Sequence, residues 1–213
     1  MTDNDINLEK IKIGCFGESS VGKTYFSRKY IKDRNLDFTF PTIGIEYFTR
    51  TQVLSNGKKY KVTILDTAGQ ERFRSLCMNS IRPCDGLILM YDITNRETFD
   101  LISKWIDEIF EIKDKDCPFI LIGNKFDLKD KRKVSEEEGL KAAENYNTTY
   151  FEVSAKEGIN VEEAIEGLLN KIIIKKEEKS KNKKQKRNEK KDNNIQLDVK
   201  KSAGKKKHKC CGN

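Results

Sequence analysis

The chain has 213 residues, 36% of them charged, and a formal net charge of +8. The charge is unevenly spread: residues 175–213 carry sixteen Lys or Arg against five Asp or Glu, net +11, which leaves residues 1–174 at −3. A slightly acidic core excludes a domain built mainly for nucleic acid, and no apolar run approaches the ~20 residues of a membrane-spanning helix.

In chain order, the polar start Thr2-Asp3-Asn4-Asp5 does not resemble a signal peptide. Ile11-Lys12-Ile13-Gly14-Cys15-Phe16 alternates and is apolar enough to be a strand. Gly17-Glu18-Ser19-Ser20-Val21-Gly22-Lys23-Thr24 then fits G-x-x-x-x-G-K-[S/T] at every fixed position, and Thr24 opens a helix over Tyr25-Phe26-Ser27-Arg28-Lys29-Tyr30-Ile31. Strand, glycine-bounded loop and helix is the context in which this motif binds phosphate. Gly17 and Gly22 allow a curl whose backbone N–H groups converge on phosphate oxygens, and the helix adds the positive end of its dipole. Lys23 is expected to reach the outer phosphates and the Thr24 hydroxyl to ligate Mg²⁺. The stretch therefore predicts a nucleoside triphosphate site.

Residues 33–41 lack a period and read as a loop. Residues 45–54 form a strand rich in β-branched and aromatic side chains, and Asn56-Gly57 signals a type I′ hairpin into a second strand over 60–65. Residues 67–83 are long, mixed and expected to be mobile. Residues 86–91 and 118–123 are near-continuous apolar runs, as in parallel strands covered on both faces. Thr94-x-x-Glu97 predicts a capping box for a helix carrying Phe99, Ile102, Trp105, Ile106 and Ile109, with Trp105 in the core. Ser135-x-x-Glu138 caps a helix ending near Tyr146, residues 150–153 form a short strand, and Asn160-x-x-Glu163 caps a last helix through Ile172 and Ile173. Strands alternating with helices predict an α/β fold: a mostly parallel six-stranded sheet, one antiparallel edge pair, and helices on both faces.

Each remaining motif falls at the carboxyl end of a predicted strand, where open α/β sheets bind ligands. Asp66-Thr67-Ala68-Gly69-Gln70-Glu71 offers a carboxylate for the Mg²⁺ shell. Gly69 can bring its N–H against a γ-phosphate, and the Gln70 amide can orient a water for in-line attack. Asn124-Lys125-Phe126-Asp127 places a carboxylate where it can accept from both N–H groups of a guanine edge; adenine has no matching pair. Ser154-Ala155-Lys156 can add a backbone N–H for the guanine oxygen and a Lys stem over the ring.

Together with Pro41-Thr42-Ile43-Gly44, these motifs resemble the Ras superfamily of small GTPases over roughly residues 9–174. The resemblance implies a P-loop NTPase fold and a GTP-hydrolysing switch with Mg²⁺ as cofactor. Thr42 would lie in a first switch, its hydroxyl on Mg²⁺ and its N–H on the γ-phosphate; residues 67–83 would form a second, with Gln70 positioning the water. Lys23, Thr42 and Gln70 are the expected catalytic residues, and Thr24, Thr42 and Asp66 the metal ligands. Gly17, Ser19, Ser20, Val21, Gly22, Lys23, Thr24, Gly69, Asn124, Lys125, Asp127, Ser154, Ala155 and Lys156 are the expected nucleotide contacts. Ile43-Gly44-Ile45-Glu46-Tyr47, Gln70-Glu71-Arg72-Phe73-Arg74-Ser75-Leu76, Tyr91-Asp92-Ile93-Thr94 and the ending Cys210-Cys211-Gly212-Asn213 are most similar to the Rab branch.

That branch implies geranylgeranyl lipid on Cys210 and Cys211, a role in vesicle trafficking, and residence on the cytoplasmic face of an intracellular membrane with a cytosolic GDP-bound pool. It also implies an exchange factor, a GTPase-activating protein, a prenylation escort, a GDP-dissociation inhibitor, and effectors that read residues 42–48 and 67–83. Two lipids anchor firmly where one gives marginal binding, and Lys205, Lys206, Lys207 and Lys209 add attraction to anionic lipid. The tail 175–213, poor in large apolar residues, is expected to be disordered. The sequence departs from the Rab pattern at Asn35, where an aromatic ring usually stacks on guanine and for which Leu36 or Phe38 could substitute. It departs also at Leu65 in place of Trp, and at Ser80-Ile81 in place of two tyrosines.

The alternatives are weaker. A Ras- or Rho-like reading with a C-a-a-X ending meets the non-aliphatic Gly212. A nucleic-acid-binding tail lacks interleaved aromatics, and His208, Cys210 and Cys211 make a poor closed zinc site. His208 is the single histidine, so imidazole-base catalysis in the core is excluded. The other cysteines, Cys15, Cys77, Cys84 and Cys117, are scattered, as expected of reduced cytosolic thiols rather than a disulfide framework.

Overall fold

The computed structural model describes residues 8–32, 42–54, 56–69 and 78–181. The strands are β1 (Glu9–Phe16), β2 (Ile45–Val53), β3 (Lys59–Thr67), β4 (Gly86–Asp92), β5 (Phe119–Asn124) and β6 (Thr149–Glu152). They form one sheet in the order β2-β3-β1-β4-β5-β6. All neighbours are parallel except β2 and β3, the antiparallel edge pair that the hairpin signal predicted. Both β4 and β5 are buried at every position, the burial expected of parallel strands covered on two sides.

Helix α1 (Lys23–Tyr30) follows the phosphate loop; α2 (Arg96–Asp100), α3 (Ile102–Ile112) and α4 (Glu136–Asn145) follow in turn. Ile102, Trp105, Ile106 and Ile109 of α3 pack with Ala143 of α4 against Leu87, Leu89, Tyr91 and Leu121 on one face of the sheet. On the other face, Leu168 and Ile172 of the helical stretch 161–172 lie so close to Gly86 that a Cβ there would meet both. The β-strand periodicity of two decides this split, because Leu87 and Leu89 face one layer while Gly86 faces the other.

Several local expectations change. Asn95, not Thr94, caps α2: its side chain accepts from the Glu97 N–H, while the Thr94 hydroxyl donates to Asp92 Oδ1 at 2.7 Å. The apolar run expected as one helix breaks at Leu101 into α2 and α3. Ser135 and Glu138 form the full capping box as expected. Asn160 stands at the start of the last helix in a left-handed conformation, φ 58°, and its side-chain amide donates to the Glu152 carbonyl. The hairpin does not close as a two-residue type I′ loop on Asn56-Gly57, although Gly57 has φ 73°. The loop is closed instead by Gly57 N–H to Leu54 O and Leu54 N–H to Lys58 O, with Asn56 Oδ1 accepting from the Lys58 N–H.

The chain divides into two units, Met1–Ile172 and Ile173–Asn213. Residues 175–181 are helical, which corrects the expectation of a disordered tail over that span. Lys175-Lys176-Glu177-Glu178-Lys179 are good helix formers without an interruption, and extending a helix is far easier than nucleating one. No helix among the described residues is long and apolar enough to cross a membrane. Cys15, Cys84 and Cys117 are buried and form no disulfide among the described residues; desolvation pushes the Cys84 thiol up to about 12, so it is an inert core group.

Candidate functional site

The carboxyl ends of β1, β3 and β5, with the loop after β6, open onto one cavity of about 670 Å³. Ser19, Ser20, Gly22, Lys23, Thr24, Thr42, Gly69, Asn124, Lys125, Asp127, Ala155 and Lys156 line it, so most of the sequence-predicted residues meet there. Thr67, Tyr25 and Leu128 line it as well and were not anticipated. Gln70 lies outside the described residues, as do Asn35, Leu36, Phe38, Cys77, His208, Cys210 and Cys211.

At one end is the phosphate loop. A Cβ on Gly17 would sit 2.1 Å from the Met90 carbonyl, and Gly22 has φ +100°, so neither position accepts a side chain without strain. Lys23 is 5% exposed, and its ammonium donates to the carbonyls of Gly17 at 2.9 Å and Glu18 at 2.6 Å. Gly69 packs against this lysine and loop: a Cβ there would lie 2.4 Å from Glu18 O and 2.5 Å from Lys23 Nζ.

Beside it stand three oxygen donors. The Thr24 hydroxyl is 2.8 Å from that of Thr42 and donates to Asp66 Oδ2 at 2.6 Å; Thr42 Oγ1 is 3.4 Å from the same carboxylate oxygen. Asp66 is fully buried, and its Oδ1 has no hydrogen-bond partner among the described residues. Desolvation raises its pKa to about 6, against the pull of the Thr24 hydrogen bond and Lys23. A buried carboxylate with an orphaned oxygen, flanked by two hydroxyls, fits a small hard cation such as Mg²⁺. The described residues contain no group of three His, Cys, Asp or Glu, so such a cation would complete its shell from phosphate and water.

At the other end, Asn124 fastens three loops. It is 2% exposed; its Nδ2 donates to Val21 O at 2.7 Å, and its Oδ1 accepts from Ala155 N–H at 3.0 Å. Asp127 accepts from the Ser154 hydroxyl at 2.7 Å, which orients the carboxylate expected to read the base. Lys125 is left-handed, φ 71°, and its ammonium pairs with Asp92 Oδ2 at 2.6 Å. Lys29 donates to the Lys156 carbonyl at 3.1 Å, tying α1 to the last base loop. Asp92 and Lys29 were missed because nothing local marks a residue whose partner is distant in sequence. Trp105 is core, as expected, but its indole N–H also donates to Glu18 Oε1 at 2.8 Å, reaching the phosphate loop from α3. That link was foreseeable in kind, since a buried indole N–H requires an acceptor.

A glycine-bounded loop between strand and helix, a buried Lys–carbonyl clamp and a Thr/Asp cation corner at the carboxyl edge define a P-loop nucleotide-binding protein. Residues 12–174 match the model of the Ras family. The chain is 43% identical over 168 residues to Ras-related protein Rab-8B of Homo sapiens and of Bos taurus, covering 79% of this chain and 81% of each relative. It is 40% identical over 167 residues to Ras-related protein Rab-3A of Homo sapiens, covering 78% of this chain and 76% of that protein. The chain belongs to the Ras family, in its Rab branch, and is a GTPase. Where that branch usually carries Trp, Leu65 is buried in the core beside Phe16 and Ile81, while Tyr47 stands largely exposed on the edge strand β2.

Proposed function

We propose that the chain is a Rab-type switch of vesicle traffic that hydrolyses GTP and is held on the cytoplasmic face of an intracellular membrane by lipid on Cys210 and Cys211. The observation that carries the nucleotide part is one cavity lined by Lys23, Thr24 and Thr42 at one end, with Asp66 bonded to Thr24 behind them, and by Asn124, Asp127 and Ala155 at the other.

The backbone N–H groups of residues 19–24 cradle the phosphates, and Lys23 neutralises the outer ones. Thr24, Thr42 and Asp66 would hold Mg²⁺, which when bound supplies positive charge to the β- and γ-phosphate oxygens. Gly69 meets the γ-phosphate through its N–H, a contact for which its lack of a side chain leaves room. Gln70 orients the attacking water. Asp127 accepts from the guanine N–H pair, and the Ser154-Ala155-Lys156 loop, held by the bond from Ala155 N–H to Asn124 Oδ1, offers a backbone N–H to the guanine oxygen. Lys125 and Lys156 flank the ring with their stems.

Residues 1–174 form the GTPase domain and 175–213 a Lys-rich tail that brings the lipidated cysteines to an anionic membrane surface. Residues 42–48 and 67–83 change with the γ-phosphate and present it to effectors. An exchange factor and an activating protein set the two states, and a prenylation escort and GDP-dissociation inhibitor handle the lipids. The similarity to Rab-8B and Rab-3A supports the trafficking role.

Single-turnover hydrolysis tests the switch: slow turnover alone, rising up to about 10⁵-fold with an activating protein, and Gln70→Leu abolishing most of the rise. Unchanged stimulated turnover in Gln70→Leu would refute the role of Gln70. Imaging of the tagged chain tests the anchor: replacing Cys210 and Cys211 by Ser should release it from membranes, and retention would refute lipid anchoring there.

A further inference from the structure

Tyr25 follows the last residue of the phosphate-loop motif and sits in the first turn of α1, half-buried, with its side chain on the cavity wall. No hydrogen bond, ring contact or ion pair engages it among the described residues. The fully buried tyrosines are all fastened, Tyr30 to Gln52, Tyr60 to Asn56, and Tyr91 to Tyr150, whereas Tyr25 is only half-buried. Because Tyr25 is absent from the packed core, its ring is free to face the cavity rather than to fill the interior. Among the described residues that line the cavity, Tyr25 is the only aromatic.

We propose that Tyr25 is a nucleotide-contacting residue, its ring lying against the nucleoside, and that it supplies the aromatic surface absent at Asn35. The proposal rests on the GTP-binding reading above. A neutral ring offers nothing to phosphate, which the loop N–H groups and Lys23 already serve. What it offers is flat apolar area, and the part of a nucleotide that takes such area is the base and ribose. The rest of the cavity's apolar lining, Leu128, Ala155 and the stems of Lys125 and Lys156, lies on the base side, so Tyr25 adds a wall contributed by α1. Because Thr24 binds the cation corner and Tyr25 is the next residue, one turn of helix serves both ends of the ligand.

The test is release of a fluorescent GDP analogue from the full chain in Mg²⁺, for wild type, Tyr25→Ala, Tyr25→Phe and Phe38→Ala. Aromatic stacking on a base is worth about 5- to 100-fold in such a truncation, so Tyr25→Ala should release GDP about that much faster, with Tyr25→Phe within about threefold of wild type. Acceleration of release by EDTA, which reports on Thr24 and Asp66, should be the same in Tyr25→Ala as in wild type. Its collapse would mean that the substitution disturbs the helix start rather than a ring contact, and would overturn the proposal. So would wild-type release from Tyr25→Ala, release from Tyr25→Phe as fast as from Tyr25→Ala, or an effect found in Phe38→Ala and not in Tyr25→Ala. A wild-type chain that retains GDP while Tyr25→Ala is silent overturns this inference alone; a wild-type chain that fails to retain GDP overturns the nucleotide reading and this inference with it.

Discussion

Replacing Asn124 by Ala removes one side chain and unties three loops. The two bonds lost are Nδ2–H to Val21 O at 2.7 Å and Ala155 N–H to Oδ1 at 3.0 Å, both buried. The side chain has no slack to be replaced by a neighbour, since a Cβ on Gly22 would already stand 2.3 Å from Nδ2. Alanine leaves a carbonyl and an N–H without partners, at about 1–3 kcal/mol each when buried. Water entering beside the open cavity recovers part of this, so the net cost is about 2–4 kcal/mol. Because both groups belong to loops that wrap the nucleotide, the loss falls on the closed pocket and corresponds to about 30- to 1,000-fold weaker GDP binding. Competition between GDP and XDP for the purified chain separates positioning from recognition. Asn124→Ala should weaken both nucleotides alike, whereas Asp127→Asn, which exchanges a guanine-reading acceptor for an amide, should move preference toward xanthine. Wild-type GDP affinity in Asn124→Ala, or a change in its base preference, would refute this account.

Gly69→Ala places a methyl 2.4 Å from Glu18 O and 2.5 Å from Lys23 Nζ, so the segment cannot close on the phosphate loop. Single-turnover hydrolysis should fall about 10- to 100-fold while GDP release stays within about threefold of wild type, a split expected of misplaced catalytic geometry. Arg132 holds Glu152 with two bonds, at 2.5 and 2.7 Å, and the Glu152 side chain is 8% exposed. Arg132→Ala should therefore destabilise the β6 edge by about 2 kcal/mol in urea unfolding, below the cost of about 3–5 kcal/mol for a fully buried pair because the arginine is partly solvated. The Ser135 backbone N–H, and then Arg96, hold the Glu138 carboxyl below its ordinary 4.5. A depressed carboxylate contributes stability above its unfolded value and loses it as the pH falls through the folded one. Thermal unfolding of Glu138→Gln should thus match wild type at pH values well below about 4.5 and fall short of it near neutrality.

The sequence by itself determined whatever depends on neighbours along the chain. Gly17 to Thr24 announced a phosphate loop because eight consecutive residues make the whole cradle. The Ser135–Glu138 capping box was legible because both bonds span three residues. The apolar runs over 86–91 and 118–123 foretold strands covered on both faces, since continuous hydrophobicity needs two layers to hide it. Even here one-residue ambiguities escaped: Thr94 and Asn95 are both good caps, and only the bond from Thr94 to Asp92 left Asn95 to do the work.

Tertiary structure decided what the motifs touch. Asn124 was read as part of a base-binding motif, yet its role in joining Val21, 103 residues away, to Ala155 follows only from the parallel order β1-β4-β5-β6, which sets those strand ends side by side. Asp92 reaches Lys125 because β4 and β5 pair in register at Asp92 and Asn124. Trp105 reaches Glu18, 87 residues distant, because α3 packs over the face that β1 shares. In the sequence Tyr25 is only the first residue of the helix that Thr24 opens; which side of that helix faces a ligand is fixed by packing, not by spacing. Local backbone chemistry is written in adjacent residues, whereas contacts across a sheet depend on strand order and register, which no short stretch of sequence encodes.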